Sequence, residues 1–152
     1  MLHEIVASIP SFAPFSPSVV VEQEQDPRLL SALRFIDNNY SQASLGLKHI
    51  SQSAGLSVWY FSRIFNTQMR MGFREYLKTL RMKHACKLLK SSPLSIKEIS
   101  AAVGYTHLSD FYHHFKSEYE LSPRVFRRNA HVSRLLQENF QSRQEKLELP
   151  KQ

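Results

Sequence analysis

The sequence has few of the residues on which several common classes of protein depend. Its 152 residues include one cysteine, four glycines and seven prolines. The single Cys86 excludes an intrachain disulfide and a zinc site built from several cysteines. No apolar run approaches the ~20 residues that a membrane-spanning helix needs. The N-terminus has no basic segment before its proline-interrupted apolar stretch, which argues against a secretory signal. We therefore expect a soluble, intracellular protein without a membrane partner.

Acidic residues are also scarce, and their distribution divides the chain. The net charge is +7, from 20 Lys and Arg against 13 Asp and Glu. Residues 1–44 hold two basic and five acidic residues, residues 45–130 hold fourteen and five, and residues 131–152 hold four and three. The central segment, with a net charge of +9, is where a polyanion such as nucleic acid would bind. Charge alone does not distinguish such a site from a solvated basic surface.

The spacing of apolar residues predicts an all-α fold. Residues 1–26 contain three prolines and are expected to form an extended or flexible arm. Asp26-Pro27 is a typical helix start, and the helix that follows has Leu29, Leu33 and Ile36 along one face. We predict further helix starts at Ser44, Ser57, Ser95 and Ser122, and a weakly amphipathic helix in the tail, residues 131–152.

A long helix is predicted over residues 73–90, between Gly72 and Pro93. Its expected inner face is one apolar stripe of Phe73, Leu77, Leu80, Ala85 and Leu88. In the next helix, Ser95 and Glu98 form a capping-box pattern, and the expected inner face comprises Ile99, Ala102 and Val103.

The segments on either side of the long helix resemble each other. Ile50-Ser51 and Gly55 recur as Ile99-Ser100 and Gly104, at an offset of 49. Beyond the turn the offset becomes 50. From there the matched pairs are Phe61 with Phe111, Phe65 with Phe115, Met69 with Tyr119, Met71 with Leu121, and Tyr76 with Phe126. Each unit reads as a short helix, a glycine turn and a second helix, which is the helix-turn-helix pattern.

Two such units, at residues 44–68 and 95–118, lie within the most basic segment. Helical hairpins are common in proteins that bind no DNA, but the repeat and the charge together favour DNA binding. The second helix of such a unit can enter the major groove while the first crosses the backbone. Opposite the expected core face, the first unit carries Val58, Trp59, Ser62, Arg63 and Asn66; the second carries Leu108, Ser109, Tyr112 and His113.

The sequence resembles the DNA-binding domain of the AraC/XylS family of bacterial transcription regulators over about residues 28–129. The matched patterns are Gly72-Phe73 with Tyr76-Leu77, Leu80-Arg81, Ala85 and Leu88-Leu89; Ser95-Ile96 with Glu98-Ile99 and Ala102-Val103-Gly104-Tyr105; Ser109, Phe111 and Phe115-Lys116; and Leu121-Ser122-Pro123 with Phe126-Arg127. The resemblance implies seven helices in two helix-turn-helix units joined by the long helix, with residues 27–130 as the domain. The two recognition helices would then read a bipartite, asymmetric site in successive major grooves.

The resemblance also implies roles for single residues. Base contacts map to the exposed positions Val58, Trp59, Ser62, Arg63, Leu108, Ser109, Tyr112 and His113. Phosphate contacts are expected from Lys48, Asn66, Lys97 and Lys116, which would position the protein without reading sequence. The second unit departs from the family in having His113 where an arginine is common. No cofactor or metal is implied, and the expected partners are double-stranded DNA and RNA polymerase, with activation of transcription in the bacterial cytoplasm or nucleoid.

Several alternatives stay open at this point. The chain could be a basic protein that binds DNA without sequence preference, or the C-terminal fragment of a longer ligand-responsive regulator. The tail, with Leu135, Leu136 and Phe140, could mediate association of a protein otherwise expected to bind DNA as a monomer. An enzyme is disfavoured: His113 and His114 point about 100° apart on a helix, and no nucleophile motif or phosphate-binding loop is present.

Overall fold

The computed structural model describes residues 26–148, with side chains from 26 to 138. These residues form seven helices and no strand, which confirms the predicted all-α class for this part of the chain. The helices are α1 (Pro27–Asn39), α2 (Leu47–Ser53), α3 (Val58–Met69), α4 (Phe73–Ser91), α5 (Ile96–Ala102), α6 (Leu108–Tyr119) and α7 (Pro123–Glu148). The predicted N-terminal arm, apart from Asp26, lies outside the described residues.

Most helix starts follow from local capping chemistry. Asp26 caps α1, and its carboxylate accepts a hydrogen bond of 2.9 Å from the backbone N–H of Arg28. The Ser57 hydroxyl accepts the backbone N–H of Tyr60 at 3.2 Å and begins α3. At α5, Ser95 and Glu98 exchange side-chain-to-backbone hydrogen bonds of 3.2 and 2.7 Å. Each bond pairs a backbone N–H that the first helical turn would leave without a partner.

The backbone repeats as the sequence does. Gly55 and Gly104 both have positive φ, at 67° and 95°, and each follows the first helix of its unit. The second helices, α3 and α6, each have 12 residues, and both end on a left-handed residue, Arg70 at φ 55° and Glu120 at φ 59°. The loop between the two helices of each unit has one more residue in the second, at 103–107, than in the first, at 54–57. The predicted change of offset therefore lies in this loop.

One helix, α4, serves two hydrophobic cores. Phe73 and Leu77 are buried with α1, α2 and α3 in the first core. Met82, Ala85 and Leu89 are buried with α5 and α6 in a second core, against which Phe126 of α7 packs. The two ends of α4 thus belong to different helix-turn-helix units. This shared helix is what links the units.

Three details of the predicted helices are wrong. α2 is capped by Gly46 rather than by Ser44, and no side chain bonds its first turn. In α4, Met82 and Leu89 are buried, whereas Leu80 and Leu88 are only partly so. A single stripe does not describe α4, because its buried side turns from one core to the other along its length. In α5, Ala102 is exposed.

The two units also meet directly, at a junction around Arg81 of α4. The Arg81 guanidinium donates hydrogen bonds of 2.8 Å to the carbonyls of Tyr40 and Gln42, just beyond the end of α1. It also lies over the ring of Tyr105, with the guanidinium carbon 5.7 Å from the ring centroid. A Cβ placed on Gly104 would approach the Tyr40 carbonyl oxygen to 2.9 Å. We call these five residues the Arg81 junction.

The two turn glycines provide a matched test of this close contact. Both have left-handed backbones, but a Cβ on Gly55 would meet nothing within 4 Å. We expect Gly55→Ala to cost about 1 kcal/mol of unfolding free energy, the penalty of a left-handed alanine. Gly104→Ala should cost about 3 kcal/mol, since the methyl group must also displace the Tyr40 carbonyl or Arg81. Urea unfolding measures both losses, and equal losses would contradict a tight junction.

Candidate nucleic-acid interface

The first recognition helix, α3, is held by two buried aromatic side chains. Phe61 and Phe65 are fully buried and contact each other with ring centroids 5.5 Å apart. Phe65 also packs edge-on against Phe73 and Tyr76 of α4. Burial of one face in this way leaves the opposite face of α3 turned to solvent.

That opposite face carries the predicted base-reading residues. Trp59 is 69% exposed and Val58 is 43% exposed, which is high for large apolar side chains. The guanidinium of Arg63, one turn on from Trp59, lies 5.5 Å from the centroid of the indole ring. Ser62 is half-buried between them, and Asn66 is exposed toward the end of the helix. The structure therefore groups four of these side chains at the N-terminal half of α3.

The second recognition helix, α6, is built in the same way. Phe111 and Phe115 are fully buried, with ring centroids 5.8 Å apart. The predicted face of α6 lies opposite: Leu108 is 40% exposed, Ser109 and His113 are exposed, and Tyr112 is half-buried.

At the offset of 50, the exposed positions of the two helices correspond one to one. The pairs are Val58 with Leu108, Trp59 with Ser109, Ser62 with Tyr112, Arg63 with His113, and Asn66 with Lys116. The buried phenylalanine pairs that hold α3 and α6 are therefore alike, whereas the exposed side chains of the two helices differ.

The predicted phosphate contacts lie at the edges of these faces. Lys48 and Lys97 are exposed near the starts of α2 and α5, at positions related by the repeat. Lys116 is exposed in the last turn of α6. Positive charge at these places suits the DNA backbone, whose contacts orient a protein on the duplex.

Tyr60 is a candidate that the sequence analysis missed. It is 36% exposed, next to Trp59, and the Arg28 guanidinium of α1 lies 5.5 Å from its ring centroid. Arg28 in turn pairs with Asp26 at 2.9 Å. The run Val58-Trp59-Tyr60 was the available signal, because three successive large apolar residues in a first turn cannot all face one core.

A basic groove of about 760 Å³ lies between the end of α4 and α7. Its lining has no carboxylate, and its cations are Lys90, Arg124, Arg127, Arg128 and Arg134. Phe126 packs against α6, with its ring 5.4 Å from that of Phe115. Arg124 and Arg128, two residues on either side, point about 160° away from Phe126. These two arginines therefore lie outside the interface that α6 presents.

Two histidines, His84 of α4 and His114 of α6, have lowered pKa values because they are partly buried. The hydroxyl of Tyr105 and Nδ1 of His114 share a hydrogen bond of 2.8 Å, and burial raises the pKa of Tyr105 to about 12. Burial, with Lys78 and His113 nearby, lowers the pKa of His114. Burial also lowers the pKa of His84, which stacks on Tyr40 with ring centroids 4.0 Å apart. Both contacts adjoin the Arg81 junction.

Together, the fold and the two exposed helix faces define a tandem helix-turn-helix domain of the DNA-binding class. Residues 50–129 match a protein family described as "Helix-turn-helix domain". The chain is 36% identical over 104 residues to the uncharacterized HTH-type transcriptional regulator YijO of Escherichia coli, covering 68% of this chain and 36% of YijO.

Two solved structures show the same fold. The C-terminal domain of AraT, a response regulator from Geobacillus stearothermophilus, superposes with a TM-score of 0.67 at 31% identity, over 70% of this chain and 88% of that domain. The DNA-binding domain of AdpA, solved with a target DNA, has a TM-score of 0.67 at 21% identity, over 72% of this chain and 96% of that one. This chain belongs to the AraC/XylS family of helix-turn-helix regulators. It spans about a third of the length of YijO and of several other curated relatives, and 70% of the length of the transposon Tn10 TetD protein of Escherichia coli.

Other chemistry has little support in the described residues. The family consists of DNA-binding regulators rather than enzymes. Among the side chains that the structure describes, residues 26–138, no His, Cys, Asp and Glu side chains gather in threes as a metal site requires. Over the same range, no helix combines the length and apolar character of a membrane span. Cys86 is half-buried against the second core, and burial raises the pKa of its thiol, which disfavours the reactive thiolate form.

The lowered pKa values of His84 and His114 predict a loss of stability in acid. Below the ordinary value of 6.5 the unfolded chain binds protons that the folded protein excludes at these sites. We therefore expect the unfolding free energy to fall as the pH drops from about 7.5 to about 5.5. The variant His84→Gln with His114→Gln should show a shallower decline in urea unfolding. Equal pH slopes for the two proteins would count against this assignment.

Proposed function

We propose that this protein is a sequence-specific double-stranded DNA-binding regulator of transcription, with residues 27–130 as its DNA-binding domain. α3 and α6 enter successive major-groove segments, about one helical turn or ~34 Å apart, and read a bipartite, asymmetric site. The observation that carries the proposal is the equivalence of α3 and α6. Each helix is held by two buried phenylalanines, and each exposes polar and aromatic side chains to solvent on its opposite face.

The first helix carries the stronger base-reading chemistry. Arg63 can donate two hydrogen bonds to a guanine edge, and Trp59, stacked on it, limits the orientations of the guanidinium before DNA arrives. Val58 offers an apolar contact for a thymine methyl group. Ser62 contributes one hydroxyl to the same surface.

The second helix offers weaker electrostatic attraction. Ser109, Tyr112 and His113 can each form single hydrogen bonds, and Leu108 supplies an apolar contact. Asp110 stands in the first turn of α6 where the first helix has Tyr60, which reduces the attraction to phosphates. We therefore propose that the first half-site contributes more of the affinity and the second adds discrimination.

Lys48, Asn66, Lys97 and Lys116 hold the phosphate backbone, and the +9 charge of residues 45–130 supports a salt-sensitive association. The protein binds DNA as a monomer and activates transcription by contacting RNA polymerase in the bacterial cytoplasm. Val132, Leu135 and Leu136 of α7 are exposed, so association through the tail stays a prediction. The short span relative to the curated relatives also suits a DNA-binding part of a longer regulator.

Selection of bound duplexes from a random pool, at physiological salt, tests the proposal against binding by charge alone. We expect two short, different boxes separated by about one helical turn, with at least ~10³-fold preference over random DNA. Salt-sensitive binding without any enriched sequence would favour the nonspecific alternative. A single enriched box would mean that only one recognition helix reads bases.

Variants of the two helices then assign the boxes. Arg63→Ala should weaken binding to the selected duplex by about 1–3 kcal/mol, roughly 5- to 150-fold, and relax sequence preference in one box. His113→Ala should weaken binding less and relax preference in the other box. Arg34→Ala, an exposed arginine of α1, is the control for loss of one charge. If all three variants lose affinity equally without a change in preference, α3 and α6 are not the reading helices.

A further inference from the structure

We propose that Arg81 is a positioning residue that fixes the separation and relative rotation of the two recognition helices, and thereby sets the half-site spacing that the protein accepts. This inference rests on the proposed bipartite reading of DNA, which it deepens. Arg81 itself lies within α4 and contacts no residue of either predicted reading face.

Arg81 is attached to the first unit by two hydrogen bonds. Its Nε and one Nη donate to the carbonyl oxygens of Tyr40 and Gln42, each at 2.8 Å. The Tyr40 carbonyl belongs to the residue that caps the C-terminal end of α1, where the helix dipole is negative. The Gln42 carbonyl, two residues further on, also accepts the backbone N–H of Leu45 at 3.1 Å. A half-buried guanidinium in that place forms charge-assisted hydrogen bonds that are strong and directional.

The same guanidinium also contacts the second unit. It covers the ring of Tyr105 in the loop before α6. The Tyr105 ring packs edge-on against Phe111 at 5.5 Å, and its hydroxyl bonds His114. Phe111 and His114 both belong to α6. An unbroken series of contacts therefore runs from the end of α1, through Arg81, to the second recognition helix.

The Arg81 junction leaves no free space in which the two units could slide past each other. Gly104 lies so close to Tyr40 that a single methyl group would not fit between them without a shift. Tyr40 packs against both cores, and its ring stacks on His84 of α4 at an angle of 9°. Backbone of one unit is thus pressed against backbone of the other.

Other contacts between the units are weaker. Lys78 of α4 and Glu118 of α6 approach only to 3.9 Å and are both partly exposed, and such ion pairs contribute little. The shared helix α4 gives the two units a common axis. A contact between the units away from that axis is also needed to set how one unit is rotated relative to the other. The Arg81 junction provides that contact.

Lysine cannot make the contacts of Arg81, so Arg81→Lys removes these contacts while it keeps the positive charge. Its single ammonium keeps the charge but lacks the planar fork that reaches two carbonyls and stacks on an aromatic ring. Arg81→Lys should therefore leave both recognition faces intact and loosen their relative placement. Lys78→Ala, which removes the weak ion pair, is the matched control.

The first experiment measures affinity for the selected duplex and for versions with one or two base pairs inserted or deleted between the boxes. Each inserted pair turns the second box by about 34° and moves it by ~3.4 Å. Wild type and Lys78→Ala should both bind one spacing strongly and lose at least tenfold at the others. Arg81→Lys should lose about tenfold at the preferred spacing and show a flattened profile, with unchanged affinity for a single box. A cooperatively folding Arg81→Lys with the wild-type profile overturns the proposal.

A second experiment needs no DNA and so separates failure of this inference from failure of the proposed function. Gln52 and Ala101 are exposed and occupy equivalent positions in the two units. With Cys86 replaced by serine, spin labels at Gln52→Cys and Ala101→Cys report the distance between units. The distribution should be narrow in the otherwise wild-type protein and broadened by Arg81→Lys; equal widths overturn the proposal. If Arg81→Lys does not fold, Tyr105→Leu is measured instead and carries the same two expectations.

Discussion

Burial of α4 by two separate cores is the constraint on which the rest of this molecule depends. Phe73 and Leu77 complete the first core, and Met82, Ala85 and Leu89 complete the second. The same helix therefore stabilises both units and joins them, so that whatever fixes the units on α4 also fixes the two faces they present. The arginine in the middle of α4 lies where these two roles meet.

The repeat separates what the two units must share from what each can vary. The shared features support the fold: the left-handed glycines, the left-handed residues that end the second helices and the buried phenylalanine pairs. The variable features are external, as Trp59 and Ser109 or Arg63 and His113 show. Residues on a solvent face change at little cost to stability, whereas a buried pair cannot. Two different surfaces on one support are what an asymmetric DNA site would require.

Much of this arrangement could be predicted from local sequence, and the failures have physical reasons. Ser57 and Ser95 were predictable as caps because capping involves residues only three apart. Ser44 was a wrong prediction because the chain reaches α2 through Gly46, whose extended backbone leaves Ser44 outside the helix. Met82 and Leu89 were missed because one helical stripe assumes one core. The Arg81 junction joins residues about 40 apart, and no local periodicity records such a contact. The exposed faces of α3 and α6 could be predicted because they lie opposite the residues that the cores bury. The roles of single residues on these faces stay predictions.

The division of α4 between two cores also bears on how the chain acquires its structure during synthesis. Leu77 is the last buried residue of the first core and Leu80 packs against it, so that core can close while the second half of α4 is still being made. The second core then needs later residues, up to the start of α7, together with Tyr40 from the first unit. Domains generally fold as units, those nearer the N-terminus first. The ribosome would thus release two successive folding units, and the closing of Tyr105 and Gly104 against Arg81 and Tyr40 would be the docking step that ends the process.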